Sequence, residues 1–445
     1  MIIRHLLLLF LFSSASCWAG SYEDAQEAYI FSYPLVLMDV TKEIATNVAV
    51  PDNYHAPINQ FAHARQLPDA NFRLFPSPRV DTLSSNAWLD LSKGAFVLHL
   101  PTIVQRFFVV EVLDGWSNVI ASLSPKTTGS NAKDFLITGP NFKDEVPENM
   151  TQISTGTNMV WIVGRTQVYG KKDLPVVREL QNQFSLTPLA FYGEAYTPPK
   201  NTDVNASLDM KTSPDAQVAS MSIQAFFLRL AKLMKENPAT KADAPMLSTM
   251  RAIGTIKDDP SIRDKALAKI GQRLNNVGRL ASGWSAPLTK IGNYGTDYLL
   301  RAACAYTALG ENSPSEVLTY LCTVDANGVA LNGENEYRMH IAIDRIPPVN
   351  AFWSLTMYTK ENYLVPNKED RYSLEAITVL SYSTLQYNID GTLDLTFQRE
   401  KPDSLPTNWL PTPKGDFILV LRLYWPQTAA LNLSYVPPSV ILKTE

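Results

Sequence analysis

The sequence predicts an α+β protein that is mainly β, with two β modules around a helical insertion. Short apolar runs bounded by Gly, Pro, Asn or Asp occur in two separate blocks, which is typical of strands. Helical periodicity dominates the stretch between the blocks. The 445 residues include 30 prolines and 20 glycines, a balance that favours strands joined by rigid loops over a long helical bundle.

The composition excludes two classes of protein. Apolar residues make up 45% of the chain and aromatic residues 10%, which is too many for an intrinsically disordered protein. The formal charge is −4 at pH 7, and this lack of a basic excess argues against non-specific nucleic-acid binding. A globular protein with extensive burial remains.

Residues 1–19 have the pattern of a secretory signal peptide. A basic start at Arg4 is followed by the apolar residues 6–12 and by small residues up to Ala19. The mature chain is therefore expected to begin at Gly20 and to be exported, either periplasmic or secreted. No later apolar stretch approaches the roughly 20 residues of a membrane span, so the sequence predicts no transmembrane segment.

The three cysteines raise two separate questions. Cys17 suggests a lipoprotein, but the residues before it lack the leucine of a lipobox, so this alternative is less favoured. Cys304 and Cys322 remain in the mature chain. In an oxidising compartment they could form one disulfide, and two buried free thiols are an equal alternative.

The first elements are a helix and a block of strands. Residues 21–40 repeat apolar side chains near helical spacing, and we expect Pro34 to end or kink that helix. Between residues 79 and 174 the pattern changes to strands of a sandwich or barrel. The predicted strands cover residues 95–100, 106–113 and 159–163.

Helices and then a second set of strands follow. Helical periodicity marks residues 220–234, 261–270 and 298–309. From about residue 318 hairpin signals appear, including the turn pair Asp390-Gly391 between predicted strands 385–388 and 392–397. Residues 417–425 are apolar on both faces except for Arg422, as expected of a central strand. The predicted organisation is a signal peptide at 1–19, an N-terminal β module at 20–200, a helical connecting segment at 201–315 and a C-terminal β module at 316–445.

Several strings resemble a bacterial pair of domain families. Residues 79–91, 113–118, 127–129 and 161–167 resemble domain of unknown function 1254, and residues 347–358, 371–373, 408–411 and 421–426 resemble domain of unknown function 1214. The resemblance implies two jelly-roll-like β-sandwich modules with a helical connection, often in a homo-oligomer. Ser84 departs from the family pattern, which has Tyr there, and Ser77-Pro78 replaces its Pro-Asn. A pocket near Asp81 would therefore take a different ligand if it uses either residue.

Motifs of common exported enzymes are absent. The sequence has no Gly-x-Ser-x-Gly, no His-Glu-x-x-His, no Cys-x-x-Cys and no glycine-rich phosphate loop, so we expect no nucleotide cofactor. Only four histidines follow residue 19, which argues against a three-histidine zinc site. Binding of a divalent cation by carboxylates is an alternative, and the sequence identifies no other metal or cofactor.

Three residues are candidates for catalysis. His63 lies in a polar stretch shortly before Arg79 and Asp81 and is the best acid–base candidate, with a hydrogen bond to a loop backbone as the structural alternative. Asp81 and Asp114 are carboxylates near Asn and Trp, which can bind hydroxyls or a hard cation or act as general bases. Their alternative is turn or capping chemistry.

Aromatic and arginine side chains form the candidate ligand-binding set. Flat aromatic faces suit sugars or other cyclic ligands, and arginine suits a carboxylate or phosphate. Burial in the core is the alternative for most of the aromatic residues. With Asn86, the set is Arg79, Asn86, Trp88, Trp116, Arg165, Arg371 and Trp409.

Three functions follow from these residues. The first is binding of a small molecule or glycan in a pocket of the N-terminal β module built from His63, Arg79, Asp81, Asn86 and Trp88. The second is a hydrolase that uses a carboxylate with His63, with or without a metal. The third is a structural or interaction protein that forms homo-oligomers through apolar β surfaces.

Overall fold

A computed structural model describes residues 22–253, 258–275, 278–377, 382–383, 385–403 and 406–443. It has the predicted α+β, mainly β architecture of two modules. The predicted signal peptide lies outside the described residues. Among the described residues, no helix combines the length and apolar character needed to cross a membrane.

The N-terminal module is a two-layer sandwich. Its strands are β1 (Phe61–His63), β2 (Thr82–Asp90), β3 (Phe96–Leu100), β4 (Phe108–Asp114), β5 (Val119–Leu123), β6 (Lys133–Thr138), β7 (Thr151–Ser154), β8 (Met159–Gln167) and β9 (Ser185–Pro188). Sheet I has the order β1-β2-β8-β4-β5, and sheet II has the order β7-β6-β3-β9. One face of sheet I packs on sheet II through side chains such as Leu89, Val112 and Ile162 against Leu98 and Phe135. The second face of sheet I is therefore free for other contacts.

Helices cover one end of that second face. They are α1 (Tyr22–Thr46), α3 (Pro214–Ser220), α4 (Ile223–Glu236), α5 (Ala244–Ile253), α6 (Pro260–Asn275) and α7 (Tyr298–Ala308), whereas α2 (Leu174–Asn182) lies beside the sandwich. Helix α1 is buried over most of its length and contacts α3 to α7. Trp88, Trp116 and Met159 of the N-terminal module share a core with these helices.

Helix α1 does not end at Pro34, which was one of the two outcomes expected for this residue. The helix runs without interruption from Tyr22 to Thr46, with Pro34 inside it. Proline removes one backbone hydrogen bond and costs a helix about 3 kcal/mol. Here the burial of large side chains on both sides, such as Phe31 and Leu37, offsets that cost.

The C-terminal module is a second sandwich. Its strands are β10 (Val317–Cys322), β11 (Tyr337–Ile341), β12 (Val349–Thr359), β13 (Ser373–Ile377), β14 (Tyr382–Ser383), β15 (Leu393–Gln398), β16 (Trp409–Pro411), β17 (Phe417–Pro426) and β18 (Ile441–Leu442), with a short helix α8 (Thr428–Leu431). Sheet III has the order β10-β17-β12-β13-β14, and sheet IV has the order β16-β15-β11-β18. As predicted, β17 is an interior strand. The predicted strand at 385–388 is wrong, because those residues form a loop that leads into the turn at Asp390.

Alternation along the strands gives sheet III two different faces. Trp353, Leu355, Leu421 and Leu423 point into the core shared with sheet IV. The other face carries polar residues and is turned toward sheet I, where Phe107 contacts Phe352 and Tyr424. Cys304 and Cys322 are both buried and form no disulfide. Of the two alternatives for these cysteines, the structure has the two free thiols.

Candidate functional site

The candidate site lies where the second face of sheet I meets the polar face of sheet III. On sheet I, register places Trp88 opposite Trp161, Asn86 opposite Val163 and Ser84 opposite Arg165. Directly opposed residues of an antiparallel pair share a face, with Cβ atoms about 5 Å apart. The register therefore places two indoles, an amide, a hydroxyl and a guanidinium on one face of sheet I.

A polar row crosses sheet III on the facing side. Thr319 pairs with Arg422, Arg422 with Ser354, and Ser354 with Glu375, so the four side chains share one face across four strands. Tyr424 and Thr356 flank this row on the same face. Arg422 is buried and donates to the Tyr358 hydroxyl at 3.1 Å.

The segment of residues 77–81 fastens the two modules together. The Asp81 carboxylate is fully buried and accepts hydrogen bonds from Ser354 Oγ and Tyr424 Oη, both at 2.6 Å. The carbonyl of Pro78 accepts from the Tyr358 hydroxyl at 2.9 Å. The Asp81 carboxylate of the N-terminal module is thus hydrogen-bonded by two side chains of the C-terminal module. Asp81 therefore serves as a contact between the modules.

The connection after α7 closes another side of the site. Arg79 forms an ion pair with Glu311 and also donates to Tyr424 Oη at 3.2 Å. The Glu111 carboxylate accepts from Asn312 Nδ2 at 2.9 Å and from the Ser313 backbone N–H at 3.0 Å. Residues 310–313 are thereby fixed over the second face of sheet I.

Arg165 is the one guanidinium of this cluster without a partner. Within the part of the chain that the structure describes, Arg165 makes no hydrogen bond or ion pair, and its Nε is enclosed with no acceptor. Its side chain is only half-buried. Arg79 and Arg422, by contrast, each have hydrogen-bond acceptors.

Two neutral groups beside Arg165 are also unpartnered. Asn86 is half-buried, and its Oδ1 has no hydrogen-bond donor among the described residues. The Ser84 hydroxyl likewise makes no side-chain hydrogen bond with any described residue. Ser84, Asn86 and Arg165 are hereafter called the free polar triad.

Guanidinium and carboxylate groups lie together at the site. The guanidinium groups of Arg79, Arg165 and Arg422 face the carboxylates of Asp81 and Glu311. Burial and then the neighbouring Arg79 lower the pKa of Arg165 to about 10. Burial tends to raise the pKa of Glu311, but Arg79, Arg422 and Arg165 together lower it, so Glu311 is ionised.

Glu375 adds little negative charge to the site at pH 7. Burial and then the charge of Asp81 raise the pKa of Glu375 to about 8. The Glu375 carboxyl is therefore mostly protonated at neutral pH. Arg165 remains the guanidinium of the cluster that no described residue pairs.

His63 lies on the opposite face of sheet I from the free polar triad. It pairs with Ser85, contacts Phe61 and Phe184 of the sandwich core, and shares a hydrogen bond of 2.9 Å with Ser85 Oγ. Burial and then Arg65 lower its pKa to about 3. The structure does not bring His63 together with Arg79, Asp81 or Asn86.

Asp114 and the tryptophans of the N-terminal module lie near the helices. Asp114 accepts from the backbone N–H groups of Trp116 and Asn118, both at 2.9 Å, as in a hairpin turn, and burial raises its pKa. Trp116 is buried and donates to the Pro238 carbonyl. Trp88 is buried and stacks on Trp161 at 4.8 Å. Of these residues, the Trp88–Trp161 pair is the closest in register to the free polar triad.

The two predicted residues of the C-terminal module lie elsewhere. Arg371 precedes β13 and donates to the Thr407 carbonyl at 2.6 Å. Trp409 is buried in sheet IV and donates to the Gln398 carbonyl at 2.7 Å. Neither shares a face with the free polar triad.

Some residues of the site carried little signal in the sequence. Arg422 stood out as a charge in an apolar strand, and its burial bears out the need for partners. No local sequence signal identifies the other three residues of the site, which are Glu311, Ser354 and Glu375. Each of them lies far along the chain from Arg79 and Arg165. Only the pairing of β12, β13 and β17 places two of them here.

The described residues give little support to two other kinds of site. Among them, no group of three or more His, Cys, Asp or Glu side chains is placed to hold a metal ion. A groove of about 580 Å³ lies between α1 and α4, and its charged lining residues are Asp39, Lys42, Glu43, Arg229 and Lys232. Arg229 forms ion pairs with both Asp39 and Glu43. The guanidinium of Arg229 is thus paired, unlike that of Arg165.

Comparisons with known proteins agree with the resemblance noted in the sequence. Residues 58–188 match the family described as protein of unknown function DUF1254, and residues 316–428 match the one described as protein of unknown function DUF1214. Among curated proteins, none matches the sequence significantly.

A solved structure shows the same fold. The chain is similar to the VPA0106 protein from Vibrio parahaemolyticus, with 19% identity and a TM-score of 0.69 over 95% of this chain and 100% of that one. A second structure, of an uncharacterised protein from Burkholderia cenocepacia, has 12% identity and a TM-score of 0.45 over 93% and 87% of the two chains. The first likeness shows that the two-module arrangement occurs in another protein.

Proposed function

We propose that this chain, which carries a DUF1254 domain followed by a DUF1214 domain, binds a small organic anion between its two β modules. The observation that carries the proposal is the guanidinium of Arg165, which lies half-buried between the sheets with no partner among the described residues. A charge withdrawn from water without a counter-ion is costly, so proteins retain one mainly where a ligand supplies the partner.

A carboxylate is the group that this arrangement fits best. Guanidinium presents parallel N–H groups that match two carboxylate oxygens, and such charge-assisted bonds are among the strongest in proteins. Ser84 lies opposite Arg165 on the neighbouring strand, and Asn86 lies one pair further along the same face. These neutral groups can bind a further oxygen of the same ligand.

The surrounding charges favour an anion rather than a neutral sugar. The guanidinium groups of Arg79, Arg165 and Arg422 lie close enough to act on Glu311 together, and the raised pKa of Glu375 keeps that carboxyl mostly neutral at pH 7. An anion at Arg165 would supply the partner that no described residue gives this guanidinium. A neutral ligand would leave the charge of Arg165 unpaired.

Calorimetric titration of the wild-type protein and two variants tests the proposal. The probes are acetate, succinate, benzoate, inorganic phosphate and glucose, with thermal shift as the second measurement. We expect at least one carboxylate to bind, and Arg165→Gln to weaken it by tenfold or more, because a hydrogen bond to a charged group contributes about 1.5–3 kcal/mol. Arg338→Gln is the matched control, since Arg338 is exposed on β11 in the other layer of the C-terminal module.

Two results would overturn the proposal. One is binding of glucose but of no anion, which would favour the glycan alternative. The other is equal carboxylate affinity in the wild-type protein and in Arg165→Gln. Phosphate binding without carboxylate binding would keep the anion site and change the class of ligand.

A further inference from the structure

Polar atoms without partners continue along sheet I beyond Arg165. On β8, Arg165 lies two positions after Val163 and Trp161 lies two positions before it. Asn86 lies opposite Val163 on β2, so it sits between the other two side chains on the same face. The enclosed Nε1 of Trp161 has no acceptor among the described residues, and the enclosed Oδ1 of Asn86 has no donor. Arg165, Asn86 and Trp161 are hereafter called the unpartnered row.

The segment after α7 brings one more such atom to this face. Glu111 lies opposite Val163 on β4, and its carboxylate accepts from Asn312 Nδ2 at 2.9 Å. Asn312 is fully buried, and its Oδ1 has no donor within the part of the chain that the structure describes. A Cβ at Gly310 would touch the Trp161 ring, so the segment runs from the indole to Glu111. The Asn312 amide therefore lies on the same side of sheet I as the unpartnered row.

Solvent reaches the unpartnered row although it lies between the two modules. Asn86, Trp161 and Arg165 are each half-buried. Both β2 and β8 are interior strands of sheet I, and the opposite face of these strands packs on sheet II. The exposed parts of the three side chains therefore open onto the second face of sheet I. A partly open face with enclosed polar atoms that lack partners is suited to a polar ligand.

We infer that the ligand is a carboxylic acid with several hydroxyl groups, of the aldonate or uronate class, whose carboxylate binds Arg165 and whose hydroxyls bind Asn86 and Trp161. The inference rests on the proposed function, since Arg165 selects the acid and the neutral groups select the hydroxyls. A hydroxyl both donates and accepts, so a single one can accept from the indole N–H and donate to the amide oxygen. Asn312 Oδ1 can accept from a further hydroxyl.

The length of the unpartnered row favours more than one hydroxyl. Residues four apart in a strand are separated by about 13 Å, which is the Cα spacing expected between Trp161 and Arg165. An acid with hydroxyls on successive carbons can meet both ends of the row, whereas one with a single hydroxyl beside its carboxylate can meet only the Arg165 end. An acid with an apolar chain would exclude water from these polar atoms and leave them unpaired.

Calorimetric titration with matched pairs of probes tests the inference. Gluconate and hexanoate have the same length of carbon chain and the same carboxylate, but only gluconate carries hydroxyls. Glucuronate and glucose share ring hydroxyls, but only glucuronate carries a carboxylate. We expect the wild-type protein to bind gluconate or glucuronate at least about tenfold more tightly than hexanoate, because a site built for hydroxyls rejects an analogue that lacks them.

Two substitutions each remove one polar group from the unpartnered row. Asn86→Ala removes the amide, and Trp161→Phe removes the indole N–H but keeps an aromatic ring. We expect each to lower the preference for the hydroxy acid about fivefold, as for one lost neutral hydrogen bond, and to keep the hexanoate affinity within about twofold. If Trp161→Phe fails to fold, Asn86→Ala carries the test, because no described residue donates to Asn86 Oδ1.

Two matched controls remove the same groups elsewhere. Asn131→Ala changes an exposed asparagine before β6. Trp409→Phe removes a buried indole N–H in sheet IV, where it donates to the Gln398 carbonyl. We expect both proteins to keep the wild-type preference for the hydroxy acid over hexanoate.

The outcomes separate this inference from the proposed function. If hexanoate binds through Arg165 as tightly as gluconate and glucuronate do, the inference is overturned and the anion site stands. If a hydroxy acid is preferred but Asn86→Ala and Trp161→Phe both keep the full preference, its hydroxyls bind elsewhere and the inference is again overturned. If no acid binds in an Arg165-dependent way, or if glucose binds as tightly as glucuronate, the proposed function fails first.

Discussion

At the scale of single residues, the three arginines between the modules differ in their surroundings rather than in chemistry. Arg79 has Glu311 and Tyr424, and Arg422 has Tyr358 and the Ser77 carbonyl. Arg165 has neither an acceptor nor an ion pair within the described ranges. The first two stabilise the contact between modules, whereas the unpaired charge of Arg165 costs stability.

Replacing Arg165 should therefore stabilise the protein without ligand. We expect Arg165→Met to raise the unfolding free energy by about 1 kcal/mol, because it removes the uncompensated charge and keeps much of the side-chain volume. Urea unfolding monitored by circular dichroism measures the change. Arg338→Met, on the exposed face of β11, should change it by less. A lower unfolding midpoint for Arg165→Met would show that the charge has a structural partner after all.

Glu375 predicts a pH dependence of stability. Its pKa is raised from 4.5 to about 8 in the folded protein. Between these values the unfolded chain loses the proton and the folded chain keeps it, so stability falls as pH rises from about 4.5 to 8. The melting temperature of Glu375→Gln should fall less over this range than that of the wild-type protein. Glu361→Gln, at an exposed position, should follow the wild-type curve, and parallel curves for all three proteins would contradict the assignment.

At the scale of elements, the connection after α7 decides how the site is covered. Gly310 has a φ of +77°, and a Cβ there would lie 2.5 Å from Cη2 of Trp161. Trp161 stacks on Trp88 at 4.8 Å and has little room to move. Because Glu311 follows directly, the position of this glycine fixes the carboxylate that binds Arg79.

Gly310→Ala should destabilise the protein more than an alanine at an ordinary turn. We expect a loss of about 3 kcal/mol, which combines the positive φ with overpacking against an indole. Gly328→Ala is the matched control, since Gly328 has a φ of +81° and open space around its Cβ, and should cost about 1 kcal/mol. Chemical unfolding of both variants gives the comparison. Equal losses would mean that the Trp161 ring moves aside freely.

At the scale of the whole molecule, the two sandwiches are joined by buried polar contacts as well as apolar ones. Asp81 accepts from Ser354 and Tyr424, and Phe107 packs on Phe352 and Tyr424. A fully buried carboxylate with partners from the other module makes separation of the modules costly. The predicted homo-oligomer stays a prediction, and light scattering on the purified protein measures it directly.

Asp81→Ala should uncouple the two modules. Removing one member of a buried polar network leaves the others without partners, so we expect a loss of about 3 kcal/mol. Scanning calorimetry should show one transition for the wild-type protein and a broader or split transition for the variant. Asp203→Ala, at an exposed position, should retain the wild-type profile. A single sharp transition in Asp81→Ala at the wild-type temperature would show that the apolar contacts suffice.

The sequence predicted individual elements well and their spatial relations poorly. Strands β4, β8 and β17 and helices α4, α6 and α7 follow from local periodicity and turn signals, which depend on neighbouring residues. His63 illustrates the limit. His63 lies close to Asn86 in the paired strands, but its side chain points to the other face of sheet I. Successive side chains of a strand alternate between the two faces, so a shift of one residue reverses the face.

By itself, the sequence determined the class of the fold, the two modules and the candidate residues Asn86 and Arg165, since composition, periodicity and family strings are local properties of the chain. Only the tertiary structure decided which candidates meet. In the folded chain, Asp81 is hydrogen-bonded by the C-terminal module and His63 packs against the core of the N-terminal sandwich. Arg165 has no partner among the described residues. The physical reason is that hydrogen-bond satisfaction depends on register and on contacts between residues more than 200 positions apart, as between Arg79 and Glu311.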